Sequence, residues 1–121
     1  MKEISLGSLE ENFAHIIWNA KEITSSELIR VCEKEFNWKR TTTYTVLKRL
    51  CNKGLFKSEG GIVSVVMTEE EYKANQSQHF IKTSFGDSLP AFFCAFTKGR
   101  KLSKEEVNYL ADLVDEYKEK K

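Results

Sequence analysis

One stretch most tightly limits what this chain can fold into: Asn37 to Ser58, NWKRTTTYTVLKRLCNKGLFKS. It carries six basic residues, Lys39, Arg40, Lys48, Arg49, Lys53 and Lys57, and no acidic one. Thr43, Val46, Leu47 and Leu50 fall at the i, i+3, i+4, i+7 spacing of one helix face. The opposite face carries Thr41, Thr45, Lys48 and Asn52, flanked by Thr42, Tyr44 and Arg49. Such a helix has a narrow apolar seat and an outer face of hydroxyls, an amide and cations. Cations contact phosphates, while Thr, Asn, Lys and Arg reach base edges, so this face suits a major groove. Taken alone, the segment also allows an ordinary basic surface helix.

The neighbouring segments narrow the choice. Ser8-Leu9-Glu10-Glu11 reads as a capping box, with Ser8 as the cap and Glu11 reaching back. Leu9, Phe13, Ile16, Ile17 and Ala20 then form one apolar stripe. Ile4 and Ser5 could form a very short strand, and Trp18, off the stripe, needs a different neighbour or stays partly exposed. Thr24-Ser25-Ser26-Glu27 opens a second helix through about Glu35, with Leu28, Ile29, Cys32 and Phe36 inward. The basic helix follows almost at once, giving a helix-turn-helix with one helix in front. Gly54 stops it where a left-handed residue is wanted. Leu55–Glu59 and Ile62–Met67 flank Gly60-Gly61 and read as a hairpin, the wing of a winged helix. Residues 1–68 account for a complete small domain.

Residues 69–121 read as a helical dimerisation domain. Thr68-Glu69-Glu70-Glu71 caps a largely polar helix running to about Thr83. Gly86 breaks it, Ser88-Leu89-Pro90 starts the next helix, and Lys98-Gly99-Arg100 ends that one. Ser103-Lys104-Glu105-Glu106 caps the last. The residues read as dimerising are Phe80, Phe85, Leu89, Phe92, Phe93, Phe96, Val107, Leu110, Leu113, Val114 and Tyr117. About fifty residues seldom build a sufficient core alone. A bundle shared by two copies would satisfy these groups and set two basic helices a fixed distance apart, as a dyad site requires. The alternative is that the helices fold back on their own N-terminal domain. The expected fold is thus mainly α with a small β wing: an N-terminal winged helix-turn-helix and a C-terminal helical dimerisation region.

Charge and composition bound the function. The chain has 121 residues and a net charge of +1; without the six basic residues above, 13 basic face 18 acidic ones, a net −5. The positive field is local, which favours one docking face over indiscriminate coating of nucleic acid. Cys32, Cys51 and Cys94 are odd in number and scattered, and His15 and His79 are isolated. Buried or half-buried thiols are expected, with no disulfide, no metal site and no cofactor. No apolar run approaches the ~20 residues of a bilayer span, and MKEISLGSLEENF lacks a signal-peptide core. A cytoplasmic protein without membrane association is expected. An enzyme is not, since no phosphate loop, metal cluster or nucleophile–base set is present.

The order of motifs resembles a known family. ISLGSLEENFAHIIWNAKEITSSEL has an Ile-Ser start, a Glu-rich helix opening, Ile-Ile-Trp and a Ser-Ser-Glu second helix. In NWKRTTTYTVLKRLCNKGLF the matching positions are Trp38, Thr42, Thr45, Leu47, Arg49, Leu50, Lys53 and Gly54. MTEEEY and KLSKEEV open the fourth and last helices. Over nearly the whole chain this resembles the penicillinase-repressor family of bacterial winged-helix repressors. The resemblance implies a homodimeric repressor that binds double-stranded DNA at a pseudo-palindromic operator through the third helix and wing, commonly controlling β-lactam resistance. It also implies release when a sensor-linked zinc metalloprotease pathway cuts the dimerisation part; the corresponding bond is Ala95–Phe96, with Ala95 where the family has Asn. Phe96 also lies on the apolar stripe and reads equally as dimer core. Copper-responsive relatives carry a C-terminal cysteine motif, and DEYKEKK has none. Lys39-Arg40 replaces a frequent Ser-Pro, and the Gly60-Gly61 tip carries no cation.

These readings place Thr41, Thr42, Thr45 and Lys48 at base edges, with Tyr44 as an edge or methyl contact. Arg40, Arg49, Lys53 and the wing's Lys57 would hold phosphates, although Arg49 could instead be tied to an acidic residue of its own domain. The rival reading is a winged-helix protein-interaction module that turns its basic face to an acidic partner without sequence-specific DNA binding.

Overall fold

The structure, a computed structural model, describes residues 4–120; Met1, Lys2 and Glu3 of the opening stretch and the final lysine lie outside them. The elements in order are α1 (Ser8–Ala20), β1 (Glu22–Thr24), α2 (Ser25–Phe36), α3 (Arg40–Asn52), β2 (Phe56–Glu59), β3 (Ile62–Val65), α4 (Glu69–Ser84), α5 (Leu89–Gly99) and α6 (Lys104–Lys120). The fold is mainly helical with one small antiparallel sheet of order β1-β3-β2. Two compact units divide between His79 and Phe80, within α4.

In the first unit, α1 differs in detail from its sequence reading. It is capped at Gly7, and Glu10, not Glu11, reaches back to accept from the Gly7 amide at 3.2 Å. A glycine has no side chain to complete the box. The buried face is Phe13, Ala14, Ile17 and Trp18, while Leu9 and Ala20 are exposed. The indole of Trp18 turns this face: its Nε1 donates to the Met67 carbonyl at 2.9 Å, and its ring packs on Phe56 and Tyr72. Ile4 and Ser5 are not a strand; the Ile4 amide donates to Asn75 Oδ1 at 3.2 Å.

The first strand, β1, instead follows α1. It pairs antiparallel with β3, Ile23 opposite Val63, and both side chains are buried. With three residues and one apolar side chain it has no periodicity of its own and forms only because β3 offers an edge. The β2–β3 hairpin closes Glu59 opposite Ile62 across Gly60 (φ 56°) and Gly61 (φ 76°), two positive-φ residues as a tight primed turn requires. The Ser25 amide donates to the Gly61 carbonyl at 2.9 Å and fastens the start of α2 to the turn. Thr24 caps α2 by accepting from the Glu27 amide at 3.2 Å.

The start of α4 also belongs to the first unit. Thr68 and Glu71 make a full reciprocal capping box, with bonds of 2.9 and 3.1 Å. Tyr72 is buried, and its hydroxyl donates to Glu11 Oε2 at 2.9 Å. Burial, then that carboxylate, push the phenol's pKa up. Glu11 thereby has a tertiary role in place of a capping one.

In the second unit, Ser88 caps α5 by accepting from the Ala91 amide at 3.1 Å, with Pro90 in the first turn. Ser103 caps α6 through the Glu106 amide at 3.1 Å. Phe80, Phe85 and Phe92 pack ring to ring with centroids 5.4 to 6.0 Å apart, and Phe92 passes the contact to Phe96. No residue of α5 or α6 is buried. An open groove of about 460 Å³ runs between these helices, lined by Leu89, Phe93, Cys94, Val107, Leu110 and Val114 among others. Cys32 is buried and Cys51 half-buried as expected, but Cys94 is exposed because it faces this groove.

Candidate nucleic-acid interface

The site is built on α3. Thr43, Val46, Leu47 and Leu50 are its buried residues, and Thr41, Thr42, Tyr44, Thr45, Lys48, Arg49 and Asn52 are exposed. The helical spacing of one segment therefore sorts seat from outer face residue by residue. The end of the helix is sharply made: the Gly54 amide donates to Cys51 O at 3.0 Å and the Leu55 amide to Leu50 O at 3.1 Å, with Gly54 at φ 90°. This paired pattern is the glycine stop that satisfies the last carbonyls. Leu55 and Phe56, both buried, then anchor the wing directly behind α3.

The start of α3 is electrostatically costly on its own account. Lys39 is the N-cap and makes no side-chain cap, Arg40 follows, and the first turn holds no acid. Cations at a helix N-terminus oppose the macrodipole by about 0.3–1 kcal/mol each, whereas phosphates are favoured at that end. Arg40 lies over the ring of the exposed Tyr44, 5.8 Å from its centroid, and presents a flat cationic surface. Lys39, Arg40 and Lys48 have no carboxylate partner among the described residues. The Thr45 hydroxyl donates to the Thr41 carbonyl at 2.9 Å. Its remaining capacity is to accept, so it can meet an adenine or cytosine amino group, or offer its methyl to thymine. Thirteen residues make α3 about 20 Å long, and a B-form major groove is about 12 Å wide and admits one helix.

The remaining cations are placed differently. Arg49 Nη1 donates to Glu10 Oε2 at 3.1 Å, and Lys53 Nζ donates to the Ser5 carbonyl at 2.8 Å and lies 3.6 Å from Glu10 Oε1. The last turn of α3 abuts the start of α1, and Glu10 meets both cations there. The intradomain tie that the sequence left open for Arg49 is present, and Lys53 shares it. Desolvation raises the Glu10 pKa, but the Gly7 amide, Arg49 and Lys53 outweigh it and leave the carboxyl below its usual value. In the wing, Lys57 is exposed and 4.0 Å from Glu59. Glu10 was missed as a site residue because its only sequence signal was a place in a capping motif.

The Ala95–Phe96 bond lies inside α5, and Phe96 O accepts the amide of Arg100 at 3.1 Å. The Arg100 guanidinium sits 5.4 Å over the Phe96 ring. No helix among the described residues is long and apolar enough to cross a membrane.

The sequence family described as penicillinase repressor matches residues 6–116. The chain belongs to that family. It is 28% identical over 126 residues to the penicillinase repressor of Bacillus licheniformis, covering 100% of this chain and 98% of that relative. It is 23% identical to the penicillinase repressor of Staphylococcus aureus over 98% of each chain. It is also 24% identical to methicillin resistance regulatory protein MecI of Staphylococcus aureus (strain Mu50 / ATCC 700699), covering 94% of this chain and 96% of that one. The reduced form of MarR from E. coli, a solved structure, aligns with a TM-score of 0.46 at 20% identity, over 94% of this chain and 75% of that chain. Within a repressor family, the exposed face of α3 is the feature for which a role must be found.

Proposed function

We propose that this penicillinase-repressor family member is a homodimeric transcriptional repressor that binds a dyad operator in double-stranded DNA through α3. The observation that carries the reading is the outer face of α3: Thr41, Thr42, Thr45 and Lys48 are exposed beside Lys39 and Arg40, cations without intramolecular carboxylate partners among the described residues. Thr41, Thr42, Thr45 and Lys48 read base edges, Tyr44 adds a methyl or edge contact, and Arg40 and the wing's Lys57 hold phosphates. Residues 1–68 dock on DNA and residues 69–121 dimerise. The exposed apolar sides of α5 and α6 support the second role, since Phe93, Leu110 and Val114 are left 37 to 57% exposed in the single chain. Contiguous apolar surface of this kind marks a protein interface. A metalloprotease acting at Ala95–Phe96 would have to unwind α5 to reach that bond.

The test is binding of two variants to the duplex flanking the chain's own coding region and to a random duplex. Arg40→Ala is expected to weaken binding to both and to flatten the salt dependence by about 0.9 in slope per lost contact. Thr45→Ala is expected to lower affinity for the flanking duplex by about 0.5–1.5 kcal/mol, the net worth of one hydrogen bond, and to leave random DNA nearly unchanged. Equal losses on both duplexes for both changes would contradict the assignment and favour a protein-docking module.

A further inference from the structure

Glu10 stands on α1, away from the outer face of α3, yet it engages two of the six cations of the basic stretch. Its side chain is largely shielded, 17% exposed, while Arg49 remains 53% and Lys53 33% exposed. One carboxylate oxygen accepts from Arg49 at 3.1 Å. The other accepts the Gly7 amide at 3.2 Å and faces the Lys53 ammonium at 3.6 Å. A shielded anion between an exposed and a half-buried cation is the charge-assisted pairing those cations would make with a phosphate.

We infer that Glu10 is a positioning residue that occupies Arg49 and Lys53 in place of DNA phosphates and so holds down sequence-independent binding. The inference rests on the reading of α3 as the docking helix. Each tie alone is a weak, partly exposed ion pair, but any phosphate approaching the last turn of α3 must displace one carboxylate shared by both cations. The Ser5 carbonyl adds a second, uncharged acceptor for Lys53. Most non-specific affinity comes from protein cations that neutralise phosphates and so release the counterions condensed on DNA, and withholding two of six removes a substantial share of it. At an operator, base contacts fix the register and the phosphates cannot shift to suit freed side chains. On random DNA every register is open. Releasing Arg49 and Lys53 therefore favours random DNA over the operator.

The experiment measures binding of the full chain to a random-sequence duplex, and to the duplex flanking its coding region, from roughly 50 to 200 mM salt. Glu10→Gln keeps an oxygen for the Gly7 amide and removes the charge. It is expected to steepen the slope of log K against log salt on random DNA by about 1 to 2 per chain. Affinity for random DNA should rise severalfold at the low-salt end, and preference for the flanking duplex should fall. Glu10→Gln combined with Arg49→Gln and Lys53→Gln should return the slope to its wild-type value. Arg49→Gln with Lys53→Gln alone should leave the wild-type slope on random DNA unchanged, an arm that does not depend on how well Glu10→Gln folds. An unchanged slope in Glu10→Gln, a gain that survives in the triple variant, or a flattened slope in the double variant overturns the inference. Failure of the wild-type chain to prefer its flanking duplex counts against the operator-binding reading instead; the slopes on random DNA still decide the role of Glu10.

Discussion

Leu110→Asp is expected to give a monomer whose affinity for a two-half-site duplex is about 10² to 10⁴-fold lower, the range by which linked binding exceeds a single contact. Leu110 lies on α6 in the groove shared with α5, and 37% of its surface stays exposed in the single chain. Val107, Ala111 and Val114 line the same groove from α6, while Leu113 and Tyr117, also exposed, continue the apolar surface around the helix. A carboxylate in the middle of that surface would be carried into any interface built on it without a partner, at a cost of several kcal/mol. The helix itself should persist, because the site is exposed and Asp costs α6 well under 1 kcal/mol in propensity. Sedimentation reads the association state, and a titration on one-half-site and two-half-site duplexes reads the consequence. A variant that stays dimeric would show that the groove is not the subunit contact.

Leu50→Ala is expected to destabilise the first unit by about 2–5 kcal/mol, the cost of a large-to-small change in a packed core. Leu50 is fully buried on the inner face of α3, and its carbonyl accepts the Leu55 amide that ends the helix. The change would leave a cavity in the buried cluster to which Leu50, Phe13, Ile17 and Leu47 all belong. Against a total stability of about 5–15 kcal/mol, that loss is large, and roughly 10 °C or more should come off the melting temperature. DNA binding would fall with the folded fraction rather than through any lost contact. A melting temperature lowered by less than roughly 3 °C would mean that α3 is not seated on this core.

Much of this was legible in the sequence because it is local. Thr43, Val46, Leu47 and Leu50 face inward at one spacing, and Gly54 ends the helix two residues after it. Thr68 and Glu71 cap α4 within a single turn. What the sequence did not show depends on distant partners. The three residues of β1 become a strand only against β3, some forty residues on. Glu11 looks like a cap but is claimed by Tyr72, 61 positions away. Glu10 and Arg49 are 39 positions apart, and only the docking of α1 on the end of α3 brings them together. From sequence a tie within the domain is an open alternative for Arg49 alone, while the fold divides the basic stretch into outward-facing cations and a pair, Arg49 and Lys53, held by Glu10. The readers assigned on α3 rest on exposure and chemistry, which a single helix already displays.

The most direct test of the account is the stoichiometry and preference of the unmodified chain on DNA. Binding to the duplex flanking its coding region is compared with a random duplex at about 150 mM salt, with the mass of each complex determined. The account predicts two chains per duplex and a preference of about 10³-fold or more, the range of sequence-specific binders. Equal affinity for the two duplexes, or a single chain on the preferred one, would contradict it.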